Sequence, residues 1–91
     1  MNISIIMATY NSEKTIKQAI KSILEQTYND YELIIVDGDS TDKTCDIINK
    51  FNSKKINFVS ESDSGVYEAF NKGLKMATGN WIFFIGSDDV L

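Results

Sequence analysis

Residues 33–44 read Leu33-Ile34-Ile35-Val36-Asp37-Gly38-Asp39-Ser40-Thr41-Asp42-Lys43-Thr44. Four consecutive aliphatic residues, rather than an alternation, are the pattern of a strand covered on both faces, as in a parallel sheet. An acid ends the run and a turn-forming segment follows. Thr44, Ile47, Ile48 and Phe51 then fall on one helical stripe, with Ser40 or Thr41 available to cap the helix and Asp42 in its dipole-favoured first turn. A buried strand that passes through a polar turn into an amphipathic helix is the repeating unit of an α/β fold.

The flanking sequence repeats that unit. Upstream, the apolar run Ile3 to Ala8 is followed by a polar turn. Ile16, Ala19, Ile20, Ile23 and Leu24 then mark a helix over about Glu13 to Gln26. Downstream, Ile56 to Ser60 is a weaker, more alternating run that suits an edge strand. Val66, Phe70, Leu74 and Ala77 form a third helical stripe, and Gly79 stands where a helix stop takes a left-handed residue. Gly73 inside that helix costs about 1 kcal/mol relative to Ala, so close packing against the sheet is expected there. Trp81 to Ile85 is the last apolar run. The alternation β-α-β-α-β-α-β with right-handed crossovers predicts an α/β, doubly wound parallel sheet, Rossmann-like, of order 3-2-1-4. The strands at Ile3, Leu33 and Trp81 are expected centrally, with a topological switch between the first and fourth strands where ligands bind.

Composition narrows the chemistry. With 91 residues the chain suits one small domain, and nine Lys and Arg against thirteen Asp and Glu give a net charge of -4. That balance opposes nucleic acid or an anionic membrane as the main partner. The absence of His removes imidazole bases, Ser-His-Asp and Cys-His pairs and His-ligated metals. One Cys allows no internal disulfide, and Cys45 is expected to pack as a small apolar residue, consistent with a reducing cytoplasm. The first residues carry no basic n-region and no signal-length apolar run, and nowhere do about eighteen apolar residues occur together.

Parallel strands put their C-terminal ends on one edge. The loops gathered there begin with Thr9-Tyr10-Asn11, with Asp37-Gly38-Asp39, with Ser62-Asp63-Ser64-Gly65 and with Gly86-Ser87-Asp88-Asp89. Asp88 and Asp89 follow a buried run directly and offer hard oxygen ligands for Mg²⁺ or Mn²⁺, with substrate phosphates completing the shell. Asp37, ending a central strand, is placed to accept hydrogen bonds from a base or ribose. Tyr10 either stacks on a nucleobase or covers the sheet end. Asn11 and Gly38 flank these positions, and Glu13 is a dipole partner first and a ligand contact second. Asp39 and Asp42 are read as turn and cap residues. Gly38 to Thr44 is not a phosphate loop, because the second Gly is missing and three Asp would repel phosphate. A diphosphate on so acidic an edge needs a metal to neutralise it.

The blocks SIIMATYN, LIIVDGDSTDKT and SESDSGVYEAFNKGLKMATGNWIFFIGSDD together resemble the N-terminal half of a family 2 glycosyltransferase of GT-A fold, over essentially the whole chain. The block Gly65 to Gly73 is similar to bacterial members of O-antigen and capsule assembly. The resemblance implies inverting transfer of a sugar from a nucleotide-diphosphate donor, commonly a UDP-sugar, to a glycan or lipid-linked acceptor. It implies that Thr9 and Tyr10 hold the nucleoside, that Asp37 lies in the block reading base and ribose, and that Asp88 and Asp89 form the DXD-type metal element. Gly38 and Gly86 stand where many members carry an acid, so those two acids are not carried over.

On this reading residues 1–91 are the donor-binding part of a longer enzyme, with the general base beyond Leu91 and the fragment inactive alone. Its uncovered sheet edge would self-associate. A cytoplasmic location is expected, with the inner face of the membrane open to the longer enzyme. The alternatives are a nucleotide-binding or interaction module without catalysis, a receiver-like signalling domain, and a sugar nucleotidyltransferase, for which ATYNSEK lacks the Gly-rich basic loop.

Overall fold

A computed structural model describes residues 2–26, 30–51, 53–62 and 66–86, with Val66 and Tyr67 described by backbone alone. In chain order the elements are β1 (Ile3–Thr9), α1 (Ile16–Leu24), β2 (Tyr31–Asp37), α2 (Thr44–Asn49), β3 (Ile56–Ser60), α3 (Val66–Met76) and β4 (Trp81–Gly86). The strands form one sheet of order β3-β2-β1-β4, and each neighbouring pair is parallel. The expected α/β architecture and strand order are both present, with the switch between β1 and β4.

Strand periodicity divides the core into two layers. Ile5, Met7, Leu33 and Ile35 point to one face and pack with Ile16, Ala19, Ile20, Ile23 and Ile48 of α1 and α2. Ile6, Ala8, Ile34 and Val36 point to the other and pack with Ala69 of α3. Because β1 and β2 are covered on both sides, an apolar residue is needed at nearly every position, which is why their sequences do not alternate. Each fully buried aliphatic side chain contributes about 1.5–3 kcal/mol relative to an exposed one.

The expectation that the Trp81 strand lies centrally, covered on both faces, is corrected. Among the described residues β4 pairs with β1 alone. Trp81, Ile82, Phe83 and Phe84 are 56%, 37%, 53% and 50% exposed, and only Ile85 is buried. The helices sit over β1 and β2, leaving β4 one described ring contact, Phe84 against Phe70 at 4.8 Å between centroids. Beside it a cavity of about 360 Å³ opens between Ile3, Ile5, Ile23, Phe83 and Ile85.

Helix details differ as well. α1 begins at Ile16, because Ser12 C=O accepts the N–H of Thr15 at 3.0 Å and of Ile16 at 2.9 Å, so Glu13 lies in the preceding turn. α3 turns Ala69 and Gly73 inward rather than Leu74, which is 45% exposed. Gly73 confirms the close packing: a Cβ there would run into the Ile6 side chain. Gly79 is not left-handed. A Cβ on it would lie 2.7 Å from Ser4 Oγ, 2.8 Å from Ser4 N and 3.0 Å from Ile3 C, so its requirement is space.

That contact belongs to a polar clasp at the N-terminal end of the sheet. The Glu32 carboxylate accepts the Ser4 hydroxyl at 2.6 Å and, from Thr78, the N–H at 2.8 Å and the hydroxyl at 2.9 Å. Ser4 Oγ in turn accepts the Gly79 N–H at 2.8 Å. Burial works to raise the Glu32 pKa, but the hydrogen bonds from Ser4, Thr78 and Gly79 outweigh it and hold the carboxyl below its ordinary range.

Two predictions follow from this packing. Gly79→Ala presses on backbone atoms and is expected to cost about 1–3 kcal/mol in urea unfolding. Gly73→Ala drives a methyl into the β-branched side chain of Ile6, which has no exposure, so despite up to about 1 kcal/mol of helix propensity it is expected to cost about 1–3 kcal/mol as well; a neutral or stabilising Gly73→Ala would contradict the close packing. For Glu32 the folded pKa is depressed, so its stabilisation is complete above pH 4.5 and is lost as pH falls through the folded value. Glu32→Gln should therefore lower Tm at pH 7, and the gap to the unaltered protein should narrow on acidification; a constant gap would show that the charge is not what the clasp uses.

Candidate functional site

The C-terminal ends of β1, β2 and β3 are joined by one buried carboxylate. Asp37, the last residue of β2, is 0% exposed and faces Thr9 of β1 and Ser60 of β3 in register. Its Oδ1 accepts the Thr9 hydroxyl at 2.6 Å and the Ser40 hydroxyl at 2.6 Å. Its Oδ2 accepts the Ser40 N–H at 2.7 Å, the Ser60 hydroxyl at 2.9 Å and the Cys45 thiol at 3.3 Å. Burial works to raise its pKa, yet the bonds from Ser40, Thr9 and Cys45 prevail and keep it below the ordinary carboxylate range. Asp37 is therefore a charge sealed in place by its donors. The same environment acts oppositely on Cys45, whose thiol is pushed up by burial, with the Asp37 and Asp46 charges adding to the effect.

Above this carboxylate the β1–α1 loop is bonded to the β2–α2 loop. Gly38 N–H donates to Thr9 C=O at 2.9 Å. Asn11 N–H donates to Ser40 Oγ at 2.8 Å, Ser12 N–H to Thr44 Oγ1 at 2.7 Å, and Glu13 N–H to Asp42 Oδ2 at 3.2 Å. In return Asn11 Oδ1 accepts the N–H of Thr41 at 2.8 Å and of Asp42 at 3.3 Å. Asn11 and Asp39 are both left-handed, at φ 47° and 67°. Those conformations are affordable for Asn and Asp, and they turn each loop back toward the other.

The expected site residues thus separate into two groups. Thr9, Asn11 and Asp37 spend their side chains on holding the edge together. Tyr10, 61% exposed, and Glu13 face solvent at the same edge, and Gly38 follows Asp37 in the β2–α2 loop with its N–H on Thr9 C=O. Asp88 and Asp89 lie outside the described residues, as do Asp63, Ser64 and Gly65. β4 leaves the sheet at Gly86 opposite Ala8, on the edge where Thr9 and Asp37 end their strands. Among the described residues no three acids or Cys approach closely enough to hold a metal ion.

Three assignments are corrected. Neither Ser40 nor Thr41 caps α2: Ser40 bonds Asp37, and Asp42 Oδ1 takes the Thr44 N–H at 2.9 Å and its hydroxyl. Nor is Asp42 the N-cap or part of the first turn: Lys43 is the N-cap, without a side-chain bond, and Asp42 lies one residue earlier and takes the first helical N–H, while Asp39 is the turn residue expected. Cys45 is not merely an apolar filler, since its thiol is a donor to the buried acid. The importance of Ser40 and Ser60 was missed. For Ser40 the signal was present, an acid followed three residues later by Ser, the spacing at which a side-chain carboxylate takes a local N–H and hydroxyl. Ser60 reaches Asp37 across the sheet, and no local spacing announces that.

No helix among the described residues is long and apolar enough to cross a membrane. Comparison with known proteins gives the site its context. The E. coli UDP-Glc:alpha-D-GlcNAc-diphosphoundecaprenol beta-1,3-glucosyltransferase WfgD is 42% identical over 89 residues, which are 97% of this chain and 35% of that protein. S. aureus TarS 1-349 in complex with UDP-GlcNAc superposes with a TM-score of 0.92 at 34% identity, over 99% of this chain and 27% of that one. The mannosyltransferase PcManGT from Pyrobaculum calidifontis, in complex with GDP-Man and Mn²⁺, gives 0.91 at 27% identity, over 98% and 28%. The chain spans about a third of the length of the curated relatives it matches. The sequence model of Glycosyl transferase family 2 matches residues 4–91, and with these likenesses in sequence and fold the chain belongs to that family.

Proposed function

We propose that this chain is the donor-binding part of an inverting glycosyltransferase that moves a sugar from a nucleotide-diphosphate donor, a UDP-sugar, onto a glycan or lipid-linked acceptor in bacterial surface polysaccharide synthesis. The observation that carries the reading is the edge itself. A buried, fully bonded acid fixes the loops after β1 and β2, the first of them beside the β1/β4 switch, and that first loop carries an exposed aromatic ring, Tyr10. Such a ring offers a base a face to stack on, worth about 1–3 kcal/mol. The UDP-GlcNAc complex of TarS and the UDP-Glc in the name of WfgD support the nucleotide class, and the diphosphoundecaprenol in that name supports a lipid-linked acceptor.

In this reading Tyr10 holds the base, the Gly38 region lies beside the ribose, and Thr9, Asn11 and Asp37 keep both loops in position. Asp88 and Asp89 would hold a divalent metal, Mn²⁺ or Mg²⁺, for which carboxylate oxygens are suitable hard ligands. When bound, the metal would neutralise the charge gathering on the departing nucleotide diphosphate. Mn²⁺ in the PcManGT complex supports that cofactor. The acceptor site and the general base are assigned to the part of the longer relatives that this chain does not span.

Calorimetric titration with UDP in Mn²⁺ and in EDTA tests the proposal. Binding should require the metal. Asp89→Ala should abolish the enhancement, whereas Asp42→Ala, which removes the acceptor of the Thr44 N–H at the start of α2, should leave it. Equal affinity in Mn²⁺ and EDTA would overturn the metal assignment, and no affinity for UDP, GDP or TDP would overturn the donor reading.

A second expectation concerns the edge of β4. β4 lies at the edge of the described sheet, and Trp81 and Phe83 on one face, with Ile82 and Phe84 on the other, leave it apolar. We infer that a second copy of the 91-residue chain pairs along β4. Light scattering should show an average mass that rises with concentration, and Phe83→Lys should suppress the rise; a clean monomer at all concentrations would remove this inference.

A further inference from the structure

Ser40 links a buried charge to the loop that carries the exposed Tyr10. Its hydroxyl donates to Asp37 Oδ1 at 2.6 Å, and the same oxygen accepts the Asn11 N–H at 2.8 Å. A hydroxyl that donates to a carboxylate becomes a better acceptor, so the two bonds strengthen each other. The residue so held, Asn11, is left-handed at φ 47° and follows Tyr10 directly. The direction in which the chain leaves Tyr10 is thus held in part by a side-chain oxygen on a different loop, beside the Asn11 Oδ1 bonds to Thr41 and Asp42 and the Ser12 hydroxyl that donates to Tyr10 C=O at 3.2 Å.

We propose that Ser40 is a positioning residue for donor binding: it couples the Asp37 carboxylate to the Tyr10-Asn11 backbone and so sets the orientation in which the Tyr10 ring meets a nucleotide base. This rests on the donor reading above and adds to it the group that aims the ring. Stacking depends on the angle and offset of the two planes, so a ring free to take several orientations pays in affinity for choosing one. Ser40 can be separated from the fold, because without its hydroxyl Asp37 keeps the Thr9, Ser60 and Cys45 donors and the Ser40 N–H. The Asn11 N–H lies at an exposed position, where water replaces the lost acceptor.

A double-mutant cycle in UDP affinity, measured by calorimetry on the 91-residue chain in Mn²⁺, tests the coupling. Ser40→Ala should weaken UDP binding about fivefold and Tyr10→Ala about tenfold or more, from the known range for base–aromatic stacking. Ser40→Thr, which keeps the hydroxyl, should bind UDP within about twofold of the unaltered chain. The decisive value is the double variant. If Ser40 acts through the ring, Ser40→Ala should add nothing once Tyr10 is Ala. A merely structural Ser40 would weaken both backgrounds alike.

Amide hydrogen exchange supplies a readout independent of the ligand: in Ser40→Ala the Asn11 amide should lose protection while β1 and β2 keep theirs. Additive losses in the cycle, unchanged UDP affinity in Ser40→Ala, or loss of protection throughout the sheet would each overturn the proposal. Failure of the unaltered chain to bind UDP, GDP or TDP would instead overturn the donor reading, and the inference with it.

Discussion

A carboxylate enclosed at the end of β2 sets the terms for everything around it. Asp37 has no exposure, and an ionised acid without water is tolerable only if donors replace the water. Those donors come from β1, from β3, from the β2–α2 loop and from the start of α2. Once Asp37 is charged, each of those elements is committed to a position within hydrogen-bond distance of it. The aliphatic layers on either side give the sheet its stability, but they are forgiving about small displacements. The acid is not, and it is what gives the C-terminal edge a single arrangement.

The opposite edge uses the same device in a milder form. Glu32 gathers Ser4 and Thr78, and through Ser4 the N–H of Gly79, so that the connection from α3 into β4 is tied back to β1 and β2. Glu32 is partly exposed where Asp37 is sealed, and its loss would loosen one connection rather than three strand ends. One end of the sheet is thus built to close the fold, and the other to hold two loops apart from the core and against each other.

Much of this was legible in the residues. Consecutive aliphatics in Ile3 to Ala8 and Leu33 to Val36 reported two covered faces, and the alternation around Ile56 reported an edge, because burial acts directly on side-chain identity. The same logic misplaced the Trp81 strand. Its apolar run matches that of a covered strand, while its described neighbours bury Ile85 and meet one ring, Phe84, leaving Trp81 and Phe83 about half exposed. Leu74 misled for a related reason: helical spacing alone does not say which of two adjacent stripes a small residue such as Gly73 allows to approach the sheet. At the site, polar residues at strand ends announced themselves, but their division into those that face inward and those that face outward did not. That division depends on cross-strand register, which brings Ser60 to Asp37 across 23 residues of sequence.

Asn11 illustrates how tightly two local demands can be joined in one position. Its backbone needs a residue that accepts a positive φ, and its side chain must present an oxygen to the N–H groups of Thr41 and Asp42. Glycine meets the first demand and fails the second. Aspartate offers the oxygen but adds a second charge beside the Asp42 carboxylate. Glutamine carries the amide one methylene too far and resists the left-handed turn. Position 11 therefore has almost no neutral neighbours in sequence space, although it lies in an exposed loop, where substitutions are ordinarily the most freely accepted in the molecule.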